Sequence, residues 1–367
     1  MKILHTEASC GWGGQEIRIL SEASGLIERG HDVSLICPAE SKIFSEAPRF
    51  GVPVMALPIG RKNLKGLTSM YRYLQQHHFD VINTHSSTDA WLVALASRFI
   101  SGAPPMVRTR HISAPISKNM ATRWLYGSAT RCIATTGEAL REELLTRLPI
   151  RPEDIVSVPT GVDTERYRSP GETQRANCRA SLGLPSDVFL IGIVATLRSW
   201  KGHRFLLEAL ANFPENIHLA IVGDGPQFEA LKQQISQLGL QNKVTLAGNQ
   251  TDVVPWLQAF DVFALPSYAN EGVPQALMQA MACGLPCVTT NAGAISELAR
   301  HGETALVVPK QDAVALGAAL LALVYDIDLR LRLGEAARRH VVMCYGKKMM
   351  LDRMERLFSQ ACASGGQ

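Results

Sequence analysis

The chain has 367 residues, 46% of them hydrophobic and 19% charged, with a formal net charge of +4. That length exceeds one ordinary domain, and the apolar fraction is enough for two sizeable cores. So mild a charge excludes the basic stripe of a nucleic-acid binder, and no apolar run approaches the ~18 residues of a membrane span.

Residues 2–6 read as a short buried strand, too short an apolar run for a secretory signal. A glycine-rich turn, Gly11-Trp12-Gly13-Gly14, and an amphipathic helix up to Gly30 follow, and His31 to Pro38 is a second strand. This βαβ unit lacks Gly-x-Gly-x-x-Gly, and its second strand ends Ile36-Cys37-Pro38 with no acidic residue for a ribose, which disfavours a nicotinamide enzyme. Gly51 to Leu57 is a third strand. The next segment is basic at its start (Arg61, Lys62, Lys65, then Arg72) and amphipathic. It reads either as a solvated helix end or as a patch for anionic lipid, at roughly 1 kcal/mol per charge. Strands follow at Phe79–His85, Val107–His111 and Arg131–Gly137. His85 and His111 lie just past strand ends, where a Rossmann-like half faces its crevice; the alternative for each is a structural core histidine, a reading that weighs less for His111.

Ile155 to Asp163 leads into the polar stretch 166–176, the expected interdomain linker, with domains over 1–168 and 177–348. A second βα series begins at Val188–Val194, and its first loop, Ala195-Thr196-Leu197-Arg198-Ser199-Trp200-Lys201-Gly202, runs into a helix over 203–212. Further strands cover His218 to Val222, with a glycine turn at Gly223, Val244 to Gly248, and Ala305 to Pro309; helices fill 311–360. The eight cysteines are scattered and read as reduced thiols, and Asp326-Ile327-Asp328 falls in the helical tail, so no metal site is expected.

The most informative stretch is Leu265 to Glu297. An apolar strand, 261–265, ends in a Pro/Ser/Asn/Gly loop that carries Glu271, Gly272 and Val273. Pro274 to Ala282 then reads as a helix with proline in its first turn, where the missing N–H is harmless. Gly284-Leu285-Pro286 stops it, 287–290 is the next strand, and Asn291 to Glu297 opens another helix. Two helix N-termini at the carboxyl edge of a parallel sheet favour a phosphate. Gln279 lies eight residues after Glu271, about two helical turns, so both reach one side of a ligand.

This pattern resembles the signature of retaining nucleotide-sugar glycosyltransferases of family 4, in which a Glu, seven residues and a second Glu precede a Gly-x-Pro turn. Glu271 and Gly284-Leu285-Pro286 match, whereas Gln279 replaces the second Glu. The resemblance implies an α/β protein of the GT-B class, with two Rossmann-like doubly wound domains facing a central cleft. It implies a final helix, about 349–367, that crosses back to the N-terminal domain. It implies Glu271 at the donor sugar, Gln279 at the ribose, and Lys201 at the diphosphate. The family's arginine position holds Thr196, with Arg198 two residues on as the substitute. Gly13 and Gly14 match its Gly-Gly loop, Gly223 its turn near the donor, and Gly248 the start of the loop whose backbone holds the base. Gly272, Val273 and Pro274 line the donor loop. His111 is the candidate for the family's functional histidine.

The function so implied is metal-independent transfer, with retention, from a nucleotide-diphosphate sugar to a glycan or lipid-linked acceptor of bacterial lipopolysaccharide or exopolysaccharide. No cofactor is expected beyond that co-substrate, with UDP preferred over GDP. By the same analogy the protein is cytoplasmic and peripheral on the inner membrane through Arg61, Lys62, Lys65 and Arg72. A nucleotide-sugar 2-epimerase-like isomerase and a catalytically impaired transferase-like binding protein are the alternatives.

Overall fold

The computed structural model describes residues 1–111, 116–117, 119–269 and 271–363. The chain forms two compact units, Met1–Gly161 with the segment from Lys347 onward, and Val162–Gly346. The stretch 166–176 lies in the second unit. Its polar residues serve ion pairs there: Arg166 with Asp252 at 2.9 Å, and Arg175 with Asp261 at 3.0 Å.

The first unit is a seven-stranded parallel sheet of order β3-β2-β1-β4-β5-β6-β7. Its strands are β1 Lys2–Thr6, β2 Asp32–Cys37, β3 Val54–Ala56, β4 Val81–Thr84, β5 Met106–Arg110, β6 Cys132–Thr135 and β7 Ile155–Ser157. The second unit is a six-stranded parallel sheet of order β10-β9-β8-β11-β12-β13. It is built from β8 Phe189–Val194, β9 Ile217–Val222, β10 Val244–Gly248, β11 Val262–Leu265, β12 Cys287–Thr290 and β13 Leu306–Val308.

Each sheet has a core on both faces, which explains why its strands read as continuous apolar runs. In the first unit Ile3, Val81 and Val107 belong to one core, and their chain neighbours Leu4, Ile82 and Met106 to the other. The period-two alternation of strand side chains divides them. The same holds in the second unit for Leu190 and Phe263 against Ile191 and Val262. Gly192 in β8 leaves space that a side chain would fill, since an added Cβ would lie 2.0 Å from the buried Phe260 ring.

Helix Lys347–Ala363 packs in the first unit through Met350, Leu351, Met354, Leu357 and Phe358. It approaches helix Gly14–Glu28 closely at Gly25, where a Cβ would meet Leu351 Cδ1 at 2.6 Å. The helix after β11 runs Gln275–Ala282 with Pro274 as its N-cap, one residue later than the sequence suggests. The helix after β12 is a single turn, Ile295–Leu298, so it supplies much less dipole than expected. Asp326 caps helix Ile327–Tyr345, accepting from the Leu329 N–H at 2.8 Å, which accounts for the Asp-x-Asp pattern.

Candidate functional site

In a doubly wound sheet, ligands bind where the strand order reverses. In the second unit that point lies between β8 and β11, and the loops leaving these two strands carry Lys201 and Glu271. Lys201 Nζ lies 2.6 Å from Glu271 Oε1, with side chains only 18% and 5% exposed. A lysine 70 residues before a glutamate is thus brought into one partly buried, charge-assisted pair.

The backbone around the pair is tightly crossed. A Cβ on Gly202 (φ +78°) would lie 2.1 Å from the Pro266 carbonyl oxygen, and one on Gly293 (φ +54°) 2.0 Å from the Glu271 carbonyl oxygen. Both positions need glycine for φ and for space. Tyr268 N–H donates to the Trp200 carbonyl at 2.8 Å, and Ala294 N–H to the Glu271 carbonyl at 3.1 Å. The loops after β8, β11 and β12 therefore hold one another, and Glu271 sits where they meet.

Thr196 and Arg198 are exposed on the β8 loop, with the Arg198 guanidinium 5.6 Å from the centre of the Trp200 ring. The turn after β9 supports that loop: a Cβ on Gly223 (φ +144°) would lie 2.0 Å from the Ala195 carbonyl, and Leu197 N–H donates to the Asp224 carbonyl at 3.0 Å. Gly223 thus seats the Thr196–Arg198 segment. Gly248 ends β10 at φ +67°, with open space where a Cβ would project, and its carbonyl accepts from Gly223 N–H at 2.8 Å. Gly272 is open and exposed, Val273 and Gln279 are half-buried, and Pro274 is buried. Asn270 lies outside the described residues.

In the first unit the order reverses between β1 and β4. Here the sequence reading brought forward His111, Gly13 and Gly14, and the structure adds a network it missed. His5, His85 and His111 form a staircase across β1, β4 and β5. His5 pairs with Asn83 in register, and His85 lies two residues beyond Asn83. Thr84 pairs with Arg108, so His111 lies two residues further again at the next step. His5 Nδ1 is 2.8 Å from His85 Nε2, and His85 Nδ1 is 3.0 Å from His111 Nε2. The first two rings are parallel within 7°. His5 Nε2 has no partner among the described residues.

All three rings are held neutral. Burial pushes His5 down to about 3. Burial, then the neighbouring His5, His111 and Arg18, holds His85 well below the usual imidazole range, and burial with Arg18 does the same to His111. Arg18 itself is buried beside Glu22 at 3.5 Å, and Glu22 accepts from Asn83 Nδ2 at 3.2 Å. Thr109 Oγ1 donates to Asn83 Oδ1 at 2.9 Å and completes this layer.

Glu7, at the end of β1, is fully buried. It accepts from Ser9 N–H at 2.6 Å and from Gln15 Nε2 at 2.5 Å, and so ties the start of the glycine-rich turn to the first turn of the following helix. Burial and the nearby Asp89 push its carboxyl up to about 8. Gly13 has extended backbone, φ −177°, and Gly14 begins the helix. Arg61 and Lys65 are exposed, as is Arg72, while Lys62 turns to donate to Ser87 Oγ at 3.1 Å. His85 and His111 were both brought forward by the sequence; for the missed Glu7 and His5 the signals available were a carboxylate just past β1 and a histidine within it.

These ionisations set a pH dependence. An imidazole that is neutral when folded but titrates near 6.5 when unfolded lets the unfolded chain bind more protons, so each subtracts about 1.4 kcal/mol per pH unit below that value. Glu7 acts in the opposite sense. Its folded value is raised from 4.5 to about 8, so its contribution is complete below the lower value and lost as pH rises through the upper. The thermal midpoint is expected to peak near neutrality and fall steeply towards pH 5. A midpoint that stays level from pH 7 to 5 would mean that the rings charge inside the fold.

Comparison with known proteins agrees with this architecture. Residues 12–166 match the family model described as Glycosyltransferase Family 4, and residues 174–340 that described as Glycosyl transferases group 1. Similar in sequence is the UDP-Gal:alpha-D-GlcNAc-diphosphoundecaprenol alpha-1,3-galactosyltransferase of Escherichia coli, 27% identical over 98% of this chain and 96% of the relative. The N-acetyl-alpha-D-glucosaminyl L-malate synthase of Bacillus anthracis is 24% identical over 91% and 90%. Among solved structures, Anabaena HepE in complex with UDP superposes with a TM-score of 0.85 at 22% identity, covering 98% of this chain and all of that one. A glycosyltransferase from Rickettsia africae gives 0.88 at 21% identity, over 98% of both. The chain is a GT-B glycosyltransferase, with a family 4 domain in its N-terminal half and a glycosyltransferase group 1 domain in its C-terminal half.

Proposed function

We propose that the enzyme transfers a sugar, with retention and without a metal ion, from a UDP-sugar to a glycan or lipid-linked acceptor of a bacterial envelope polysaccharide, lipopolysaccharide or exopolysaccharide. The Lys201–Glu271 pair at the switch point of the second sheet carries this reading. Sugar transfer passes through an oxocarbenium-like state with charge building on the departing diphosphate. An ammonium has three donors, so Lys201 can keep one on Glu271 and give the others to phosphate oxygens. Arg198, exposed on the same loop, adds a second cation, and Glu271 takes sugar hydroxyls with its other oxygen. Gln279 grips the ribose through a neutral amide instead of a carboxylate. Gly13 and Gly14 let backbone approach the ligand; Thr196, Gly248, Gly272, Val273 and Pro274 shape the donor loops.

His111 acts as a hydrogen-bond donor rather than a base, and the staircase fixes its tautomer. A proton on His5 Nε2 would leave a buried N–H without an acceptor, at about 1–3 kcal/mol. His5 therefore carries its proton on Nδ1 and donates to His85 Nε2. That puts the His85 proton on Nδ1, donated to His111 Nε2, and leaves Nδ1–H of His111 for substrate.

The names of relatives support the donor and acceptor classes. The Escherichia coli relative is named for UDP-Gal and a diphosphoundecaprenol-linked acceptor, and HepE has been solved with UDP and with UDP-glucose. A lipid-linked acceptor fits peripheral docking on the cytoplasmic face of the inner membrane through exposed Arg61, Lys65 and Arg72, beside Leu64, which is 80% exposed. No helix among the described residues is long and apolar enough to cross a membrane. The donor is tested by thermal shift with UDP, GDP and ADP. UDP at ~100 times its Kd is expected to stabilise by about 2.7 kcal/mol, with GDP and ADP well behind. Equal or absent shifts would remove the UDP assignment.

A further inference from the structure

We propose that the cavity beside β5 in the first unit, into which Arg108, Arg110 and Lys62 converge, recognises a phosphate or diphosphate group on the acceptor. This rests on the transferase reading above and names the acceptor's chemistry.

The cavity has a volume of about 510 Å³ and is also lined by Ser86, Trp91 and His111. That is room for a sugar with a charged substituent. Arg108 and Arg110 are two apart on β5, so they leave the strand on one face, while Thr109 points to the Asn83 layer on the other. Arg108 is 3% exposed, and its Nη1 has no partner among the described residues. Its guanidinium carbon lies 4.5 Å from the centre of the Tyr126 ring, and Arg110 Nη1 donates to the Tyr126 hydroxyl at 3.2 Å. Lys62 Nζ stands at the Ser87 hydroxyl, 5.8 Å from the centre of the Trp91 ring.

The nearby carboxylate is already committed. Asp89 is buried and accepts from the backbone N–H groups of His85 (2.9 Å) and Ser86 (2.8 Å), and from Thr6 Oγ1 at 2.7 Å. It caps helix Ser87–Ser97, so the helix end is satisfied from within and the cavity's donors are side chains. The buried Nη1 of Arg108 is thus a donor that a phosphate oxygen entering the cavity would satisfy, with Arg110 and Lys62 beside it.

The cations also oppose one another. Burial lowers Lys62 and Arg108 first; Arg108 then lowers Lys62, and Arg110 lowers Arg108 after Tyr126 and Asp89 have raised it. A buried guanidinium with an unsatisfied donor, such as Arg108, is costly until an anion enters. Guanidinium forks match phosphate oxygens in pairs.

The test uses the full chain saturated with UDP, which fills the donor's own diphosphate site. Calorimetric titration with inorganic pyrophosphate, orthophosphate and malonate then reads the acceptor cavity. Pyrophosphate or orthophosphate is expected to bind more tightly than malonate, and to weaken at least tenfold in Arg108→Met and in Lys62→Ala with UDP affinity unchanged. Lys62 lies at the exposed mouth, so its variant keeps the wild-type fold and decides the matter if Arg108→Met does not fold. Competition by a soluble sugar 1-phosphate would mark a soluble acceptor, and competition that needs a short-prenyl diphosphate sugar a lipid-linked one; either supports the site. Malonate binding as well as pyrophosphate, no phosphate binding to the UDP complex, or undiminished binding in both variants would overturn it. Failure of UDP itself to bind would instead strike the transferase reading.

Discussion

Lys201→Ala is expected to lower kcat for sugar transfer by about 100- to 1,000-fold, the loss that follows removal of one preorganised partner of a developing anion. The ammonium lies 2.6 Å from a carboxylate that is 5% exposed, in a loop whose path is fixed by Gly202 and by the Tyr268–Trp200 hydrogen bond. Such a group needs no reorganisation as charge moves to the diphosphate. The same substitution strands Glu271, and breaking a buried pair by deleting one partner can cost about 3–5 kcal/mol, less here because Lys201 retains some solvent contact. A drop in activity alone would therefore confuse a chemical loss with an unstable loop. The double variant Lys201→Met with Glu271→Gln separates the two, since removing both charges leaves no unpaired buried charge. It is expected to melt close to wild type and to remain at least 100-fold impaired. A double variant that turns over within about threefold of wild type would show the pair to be structural.

The parallel sheets were legible because helices cover both faces of each, so strands such as β8 and β11 appear as unbroken apolar runs bounded by glycine and polar turns. Lys201 and Glu271 were brought forward by the resemblance to the family's motifs, and both lie on loops that leave strands at the switch point of one sheet. The pairing of the two was not legible, because it depends on the strand order, which puts β8 next to β11. The first unit was harder to read for a related reason. His5, His85 and His111 are 80 and 26 residues apart in sequence, and only the order β1-β4-β5 with its two-residue steps lines them up. Arg108 and Arg110 occupied a segment that reads as a buried strand, where a charge is more readily taken for a solvated edge. Lys62 was grouped with its basic neighbours because sequence proximity says nothing of the turn that sends its side chain to Ser87.

His111→Ala is expected to lower kcat about 100-fold, the lower range for a positioned proton-bearing group, with the Kd for UDP unchanged. The staircase makes a sharper claim than loss of one side chain. In the proposed tautomer chain, His85 donates to His111 Nε2 and so holds the His111 proton on Nδ1, and His5 in turn donates to His85 Nε2. His85→Leu fills a similar volume and leaves His111 in place without its partner. It is expected to lower kcat roughly tenfold, the scale at which partners that orient a functional imidazole matter. His111→Gln returns an amide donor at the same site and should recover part of what alanine removes. The pH profile distinguishes donor from base. Burial keeps the ring neutral well below the usual imidazole range, so kcat/KM should show no acidic limb near pH 6.5. In His85→Leu the ring loses one neighbouring imidazole and its fixed tautomer, while burial and Arg18 still hold it neutral, so the profile should stay flat at a lower level. A wild-type acidic limb that titrates near 6.5 and vanishes in His111→Ala would instead make His111 a base and dissolve the tautomer argument.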